Sequence, residues 1–174
     1  MILVTGGSVS GKSAYAEKLL AERAPLHRTY LATMAGGGEE AQERIARHRR
    51  QREGLGFDTV ECPADISTVI DVCGDAVLLE DLGNLVANEM FGGYGPSPEA
   101  RGGLEAERIF RDLRRLDEHC SLLVVVTDEV FSDGMRYDPE TTRYLEQLGA
   151  LNVSAARYAE EVWEVICGIP VRRK

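Results

Sequence analysis

Residues 1–13 read MILVTGGSVSGKS. A short apolar run ends in Gly6-Gly7, and Gly11-Lys12-Ser13 follows four residues after the second glycine. The eight residues Gly6, Gly7, Ser8, Val9, Ser10, Gly11, Lys12 and Ser13 fit G-x-x-x-x-G-K-[ST] between a buried strand and a helix start, the setting in which this wording cradles phosphate. Glycines let the backbone wrap close to phosphate oxygens. The N–H groups that open the helix point at the anion along the helix dipole. In such a loop Lys12 reaches the β- and γ-phosphates and Ser13 ligates Mg²⁺. All eight are therefore candidate nucleotide-binding residues.

Downstream, short β-like runs at 2–5, 28–32, 59–62, 76–80, 122–127 and 162–167 alternate with polar or amphipathic segments. That alternation predicts an α/β fold with a mostly parallel central sheet. Strand cores such as AVLL and LLVVV are apolar throughout, which suits a sheet flanked by helices on both faces. Residues 13–23, 39–53, 104–119 and 139–159 read as helices, and FGGYGPSP at 91–98 reads as a loop. With no repeat and no linker visible, a single P-loop NTPase-like domain over residues 1–174 is expected. The strand at 162–167 is followed by Gly168 and Pro170, which predicts an antiparallel C-terminal edge strand there.

The bulk composition narrows the function. A net charge of −9 and a pI near 4.9 disfavour a nucleic-acid or membrane-surface binder, which needs a basic face. Cys62, Cys73, Cys120 and Cys167 are far apart, form no C-x-x-C pair and read as reduced thiols. No basic leader with an apolar core precedes the first strand, and no apolar run nears the roughly 18 residues of a membrane span. A soluble, cytoplasmic protein without stable membrane insertion is expected. The GTPase strings N-K-x-D and D-x-x-G are absent, so a regulatory GTPase is a poor reading.

Two further features bear on chemistry. A phosphate-loop magnesium site takes a second acidic contact from the end of another buried strand, and AVLLED supplies Glu80 and Asp81. Strand side chains alternate, so one of the two shares the face of Leu78; Glu80 joins Ser13 as the metal candidate, with Asp81 open beside it. The second feature is EEAQERIARHRRQRE at 39–53, where His48 lies among Arg44, Arg47, Arg49, Arg50 and Arg52. On a helix Ala41, Ile45, His48 and Arg52 share one face. A histidine there is either a packed or surface ring, or a nucleophile. Neutral imidazole attacks phosphorus to form a P–N bond when neighbouring cations disperse the phosphate charge and keep the ring unprotonated.

Taken together, these strings resemble the bifunctional adenosylcobinamide kinase/adenosylcobinamide-phosphate guanylyltransferase family of cobalamin biosynthesis. The resemblance is carried by ILVTGG with SGKS, YLATM at 30–34, RIARHRRQR at 44–52, VLLED with LVAN across 77–88, VVVTDEV at 124–130, AEEVWEV at 159–165 and GIPV at 168–171. It implies phosphorylation of the aminopropanol hydroxyl of adenosylcobinamide by ATP or GTP. It then implies transfer of GMP from GTP, through the histidine of R-I-x-x-H, to the resulting phosphate, giving adenosyl-GDP-cobinamide. Carried to this chain, the histidine is His48; Lys12 of the phosphate loop is the other catalytic candidate. The implied nucleotide contacts are the phosphate loop, Thr33, Met34, Ala35, Arg49, Arg50, Gln51, Arg52, Glu61 and Glu80. A homotrimer is likewise implied, beside the Mg²⁺ site on Ser13 and Glu80 already read from the loop and the strand-end acid. A kinase-only member and a non-catalytic nucleotide- or corrinoid-binding homologue are the alternatives.

The chain departs from the family's usual wording at four places. Asp81-Leu82-Gly83-Asn84 stands where Cys-Leu-Thr is common after the strand acid, and Asp128-Glu129-Val130 stands where N-E-V is usual. Residues 132–139 replace a G-x-G-I-V-P stretch, and residues 152–156 an N-Q-x-L-A run. Within the phosphate loop, Val9 stands where arginine is usual.

Overall fold

The computed structural model describes residues 1–24, 27–35, 54, 56–93, 105–132 and 134–174. The helix expected at 39–53, with His48 and its arginines, and most of the loop expected at 91–98 lie outside the described residues. Seven strands form one sheet: β1 (Ile2–Gly6), β2 (Arg28–Ala32), β3 (Phe57–Glu61), β4 (Ala76–Glu80), β5 (Leu122–Asp128), β6 (Glu161–Ile166) and β7 (Ile169–Arg172). Their spatial order is β3-β2-β4-β5-β1-β6-β7. Every pairing is parallel except β6 with β7. Four helices are described: α1 (Lys12–Arg23), α2 (Leu82–Phe91), α3 (Glu105–His119) and α4 (Pro139–Tyr158), with a 3-10 helix over Ile66–Val72.

The strand period of two divides the apolar side chains between two cores. Ile2, Val4, Leu78, Val124 and Val126 pack with Ala16, Leu19 and Leu20 of α1 on one face. Leu3, Val77, Leu79, Leu123 and Val125 pack on the other with Leu85 of α2, Leu113 of α3 and Leu148 of α4. The apolar strand cores are thus covered on both sides, as their composition predicts. Leu20 is fully buried, and truncating such a side chain to alanine costs about 3–5 kcal/mol.

An antiparallel C-terminal edge strand is present, but it is residues 169–172 rather than 162–167. β6 runs parallel to β1, with Leu3 beside Val162, and the chain then reverses at Cys167-Gly168. Both turn residues have positive φ, 49° and 81°, the requirement of a two-residue hairpin turn whose twist matches the strands. Pro170 lies in β7, where an edge position tolerates its missing N–H. The helix α2 also extends the expected pattern: Asp81 caps it, its carboxylate accepting from the Asn84 N–H at 2.7 Å.

Candidate active site

Parallel α/β sheets place their ligands outside the carboxyl ends of the strands, and here the ends of β1, β2, β4 and β5 converge. The loop after β1 is held by its backbone. A Cβ on Gly6 would come within 2.6 Å of both Ser10 Oγ and the Val165 carbonyl oxygen, so only glycine fits. Gly11 sits at φ 92° and opens α1, its carbonyl accepting from the Tyr15 N–H at 3.0 Å. From the other side the β6–β7 turn braces the loop, the Gly168 N–H donating to the Ser10 carbonyl at 2.8 Å. Val9, at the tip, has φ 57° and is 98% exposed.

Lys12 and Ser13 leave this loop toward the acids. The Lys12 ammonium pairs with Asp128 Oδ1 at 2.7 Å and donates to the Gly7 carbonyl at 3.3 Å. The Ser13 hydroxyl donates to Glu80 Oε1. The other oxygen, Glu80 Oε2, is buried without a hydrogen-bond partner. Burial pushes the Glu80 carboxyl up to about 8, against the pull of the Ser13 hydrogen bond. Asp81 is raised to about 6, chiefly by burial and next by the negative charge of Asp128. Of the two acids that end β4, Glu80 is the one in contact with Ser13, while Asp81 is engaged with Asn84 through both oxygens.

The segment after β2 supports those acids from behind. Thr33 is fully buried; its hydroxyl accepts from the Asp81 N–H at 2.7 Å, and its own N–H donates to the Glu80 carbonyl at 3.0 Å. Asn88 of α2 fastens the same segment, donating to the Thr33 carbonyl at 2.8 Å and to that of Pro63 at 3.0 Å. Met34 and Ala35 follow, half-buried, at the same edge of the sheet. Glu61 ends β3, with β2 between it and β4, so roughly 10 Å of sheet separates the two strands. His48, Arg49, Arg50, Gln51 and Arg52 lie outside the described residues.

Asp128 and Tyr144 belong to this cluster but were absent from the sequence-based candidates. Asp128 lies beside Gly6 in the β1–β5 register. A Cβ on Gly83 would sit 3.0 Å from Asp128 Oδ2, 3.1 Å from Asp81 Oδ1 and 3.2 Å from the Tyr144 phenol oxygen. Three groups thus meet over a residue with no side chain. The Tyr144 hydroxyl is pushed up to about 12 by burial and by those two carboxylates. A signal for Asp128 existed: LLVVVTD is a second buried strand ending in a carboxylate, the rule that selects Glu80.

A nucleotide-type loop facing strand-end acids defines a class, and comparison with known proteins narrows it. Residues 2–173 match the CobU family, described as cobinamide kinase / cobinamide phosphate guanyltransferase. The chain belongs to that family. Two relatives agree with the CobU match over their whole lengths. The bifunctional adenosylcobalamin biosynthesis protein CobU of Salmonella typhimurium is 36% identical, covering 100% of this chain and 99% of the relative. That of Escherichia coli is 33% identical with the same coverage. Among solved structures, a KaiC-like protein from Pyrococcus horikoshii superposes with a TM-score of 0.51 at 12% identity, over 94% of this chain and 70% of that one, a likeness of fold alone. CobU membership makes the chain a transferase, and it gives two of the sequence departures a common address. Asp81 of the first and Asp128 of the second meet, with Tyr144, over Gly83 of the first.

Proposed function

We propose that this chain, acting as one domain, performs both reactions named in its family's description, with the loop of residues 6–13 as the shared triphosphate grip. In the first, the aminopropanol hydroxyl of adenosylcobinamide attacks the γ-phosphorus of ATP or GTP; the new O–P bond forms as the β–γ bridging bond breaks, the nucleoside diphosphate leaves and the hydroxyl proton passes to solvent. In the second, the His48 imidazole attacks the α-phosphorus of GTP; a P–N bond forms, the α–β bridging bond breaks and pyrophosphate leaves. The cobinamide phosphate then attacks that phosphorus, the P–N bond breaks and adenosyl-GDP-cobinamide is released. One grip serves both because the β- and γ-phosphates it holds are in one case partly transferred and in the other the leaving group.

The observation that carries this reading is the contact between Ser13 and Glu80 with Glu80 Oε2 left buried and unpartnered. A hydroxyl beside a carboxylate with an unused oxygen is a donor set for a hard divalent cation. Ser13 and Glu80 would hold Mg²⁺, and the ion would supply positive charge to offset that of the phosphates. Lys12 would leave Asp128 for the phosphates, and Arg49, Arg50 and Arg52 would keep His48 neutral and the α-phosphate electrophilic. Thr33, Met34, Ala35, Gln51 and Glu61 complete the proposed nucleotide contacts. Assembly as a homotrimer follows from the family resemblance, and a cytoplasmic location from the reading of the cysteines as reduced thiols. Among the described residues no helix is long and apolar enough to cross a membrane.

GTP labelled at the α-phosphorus tests the two-step route. Acid-labile label is expected on the protein, absent in His48→Ala, while phosphorylation of adenosylcobinamide persists in that variant. Transfer of GMP to cobinamide phosphate with no labelled protein at any time point would overturn the histidine route.

A further inference from the structure

One cleft of about 550 Å³ adjoins the phosphate loop without being part of it. Its walls include Ser8 of the loop, Glu129, Val130 and Ser132 after β5, Tyr137, and Tyr144 and Leu145 of α4. We propose that this cleft is the acceptor site, receiving the aminopropanol arm and the adjoining amide-bearing edge of the corrinoid. The inference rests on the two-reaction reading above and adds where the second substrate lies.

Three observations lead there. The first is position. A phosphate-loop lysine marks the β/γ end of a bound triphosphate, and Lys12 is paired with Asp128. Asp128 Oδ2 and the Tyr144 hydroxyl lie 3.0 and 3.2 Å from one point above Gly83, so a wall of the cleft abuts the partner of that lysine. A hydroxyl entering along Tyr144 arrives at the phosphorus it must attack, and the same path returns the phosphorylated arm for the second reaction.

The second observation is charge. Among the described residues the cleft walls carry no lysine, arginine or histidine, and they carry the carboxylate of Glu129. Such walls offer no cation to a second nucleotide. They suit the phosphate-free body of the acceptor, neutral amides around an alkyl-cobalt(III) corrin of net positive charge, with the end of the arm, phosphorylated or not, directed out of the cleft toward Lys12. The third is chemical texture. Val130 and Leu145 supply apolar contact, and Ser8 and Tyr144 supply hydroxyls for amide groups. Mostly apolar walls with a few placed polar groups are what small-molecule sites present, and the volume lies within their ordinary range of roughly 300–1,000 Å³. On the same segment Phe131 and Met135 are exposed at 42% and 68%, apolar surface available to a large macrocycle.

The test fills the cleft from two sides, with Leu145→Trp and, from the exposed loop, Ser132→Trp. Dicyanocobinamide binding is measured by equilibrium ultrafiltration, and GTP binding is measured in parallel on the same folded preparations. At least a tenfold weaker affinity for dicyanocobinamide in both variants is expected, with GTP affinity unchanged. The KM for cobinamide in the kinase step and for cobinamide phosphate in the GMP step should rise together. Unchanged corrinoid affinity in Ser132→Trp would sink the assignment, and so would loss of GTP affinity with corrinoid binding intact, which makes the cleft a nucleotide pocket. Because corrinoid binding needs no turnover, failure to label His48 overturns the two-step route without touching the assignment of the cleft.

Discussion

The two sides of the site are held in opposite ways. On the β1 side, the loop of residues 6–13 is shaped by backbone: Gly6 admits no side chain, Gly11 turns at positive φ, and the β6–β7 turn props Ser10 from outside. On the β4–β5 side the shape depends on charge. Glu80 is raised to about 8 and Asp81 to about 6, both chiefly by burial, and Asp128 is paired with Lys12. The loop side is therefore shaped by its own backbone, whereas the β4–β5 side holds carboxylates whose ionised forms want a cation. Beside the Ser13–Glu80 contact, Lys12 joins the two sides as an ion pair, through Asp128 and the Gly7 carbonyl.

Removing that link should produce the largest effect. Lys12→Ala is expected to lower kcat/KM of both reactions by about 100- to 1,000-fold, the usual consequence of losing a preorganised charge at a transferring phosphoryl group. A loss confined to the kinase step would show that GMP transfer holds its phosphates elsewhere. Next in size is the backbone side. In Gly6→Ala the added methyl must displace Ser10 or the Val165 carbonyl, at a cost of about 1–3 kcal/mol for overpacking. Nucleotide affinity should fall at least tenfold in both reactions, read by calorimetry, with a lowered melting temperature. If stability alone changes, the loop re-forms around its ligand and is not rigidly preorganised.

A smaller, pH-dependent effect probes the charged side. The folded-state value of Glu80, about 8, lies above its ordinary 4.5. The folded protein then binds more protons than the unfolded chain between those values, so its stability falls as pH rises through that window. Asp81, raised from 3.8 to about 6, adds to the same trend at lower pH. Glu80→Gln should flatten the decline and raise the melting temperature of the nucleotide-free protein at pH 8 relative to the parent, while weakening magnesium-dependent nucleotide binding. A decline equally steep in the variant would move its origin to another group. An isolated pair elsewhere offers a contrast of sign: Arg23 holds Glu161 down to about 2, so its contribution is present above pH 4.5 and is lost as pH falls toward 2.

What the sequence discloses follows the same division. The phosphate loop and the apolar strand cores are local patterns, and both stand in the structure where the pattern puts them. Glu80 is legible because a strand-end acid after AVLL is also local. Its distinction from Asp81 is not, because it depends on Asp81 turning to cap α2 and on Ser13 approaching from α1. Asp128, Gly83 and Tyr144 meet only because the sheet orders its strands β4-β5-β1 and lays α4 across that end. No spacing along the chain encodes that meeting. β7 is obscured by its own Pro170, which argues against a strand unless the edge position is known. α2 is obscured by length, since Leu82, Leu85, Val86 and Met90 form a stripe on a helix only ten residues long.

Val9 sharpens the backbone side at its finest scale. Its side chain is β-branched and almost wholly exposed, and its φ of 57° is a region that such residues rarely adopt. An L-residue there costs roughly 1–2 kcal/mol, and no packing returns that cost, because the side chain is 98% exposed. Asparagine tolerates the same backbone without the extra unfolded-state freedom of glycine. Val9→Asn should therefore raise stability by about 1 kcal/mol and leave kcat of both reactions within twofold. Gly11, at φ 92°, supplies the opposite control: a side chain there meets only ordinary contacts, the nearest being Gly168 Cα at 3.4 Å, so Gly11→Ala tests the backbone angle almost alone. If Val9→Asn stabilises and Gly11→Ala destabilises by similar amounts, φ governs the loop. If Val9→Asn instead lowers activity, the exposed valine makes a contact in the bound state, and the backbone is not the whole account of the cradle.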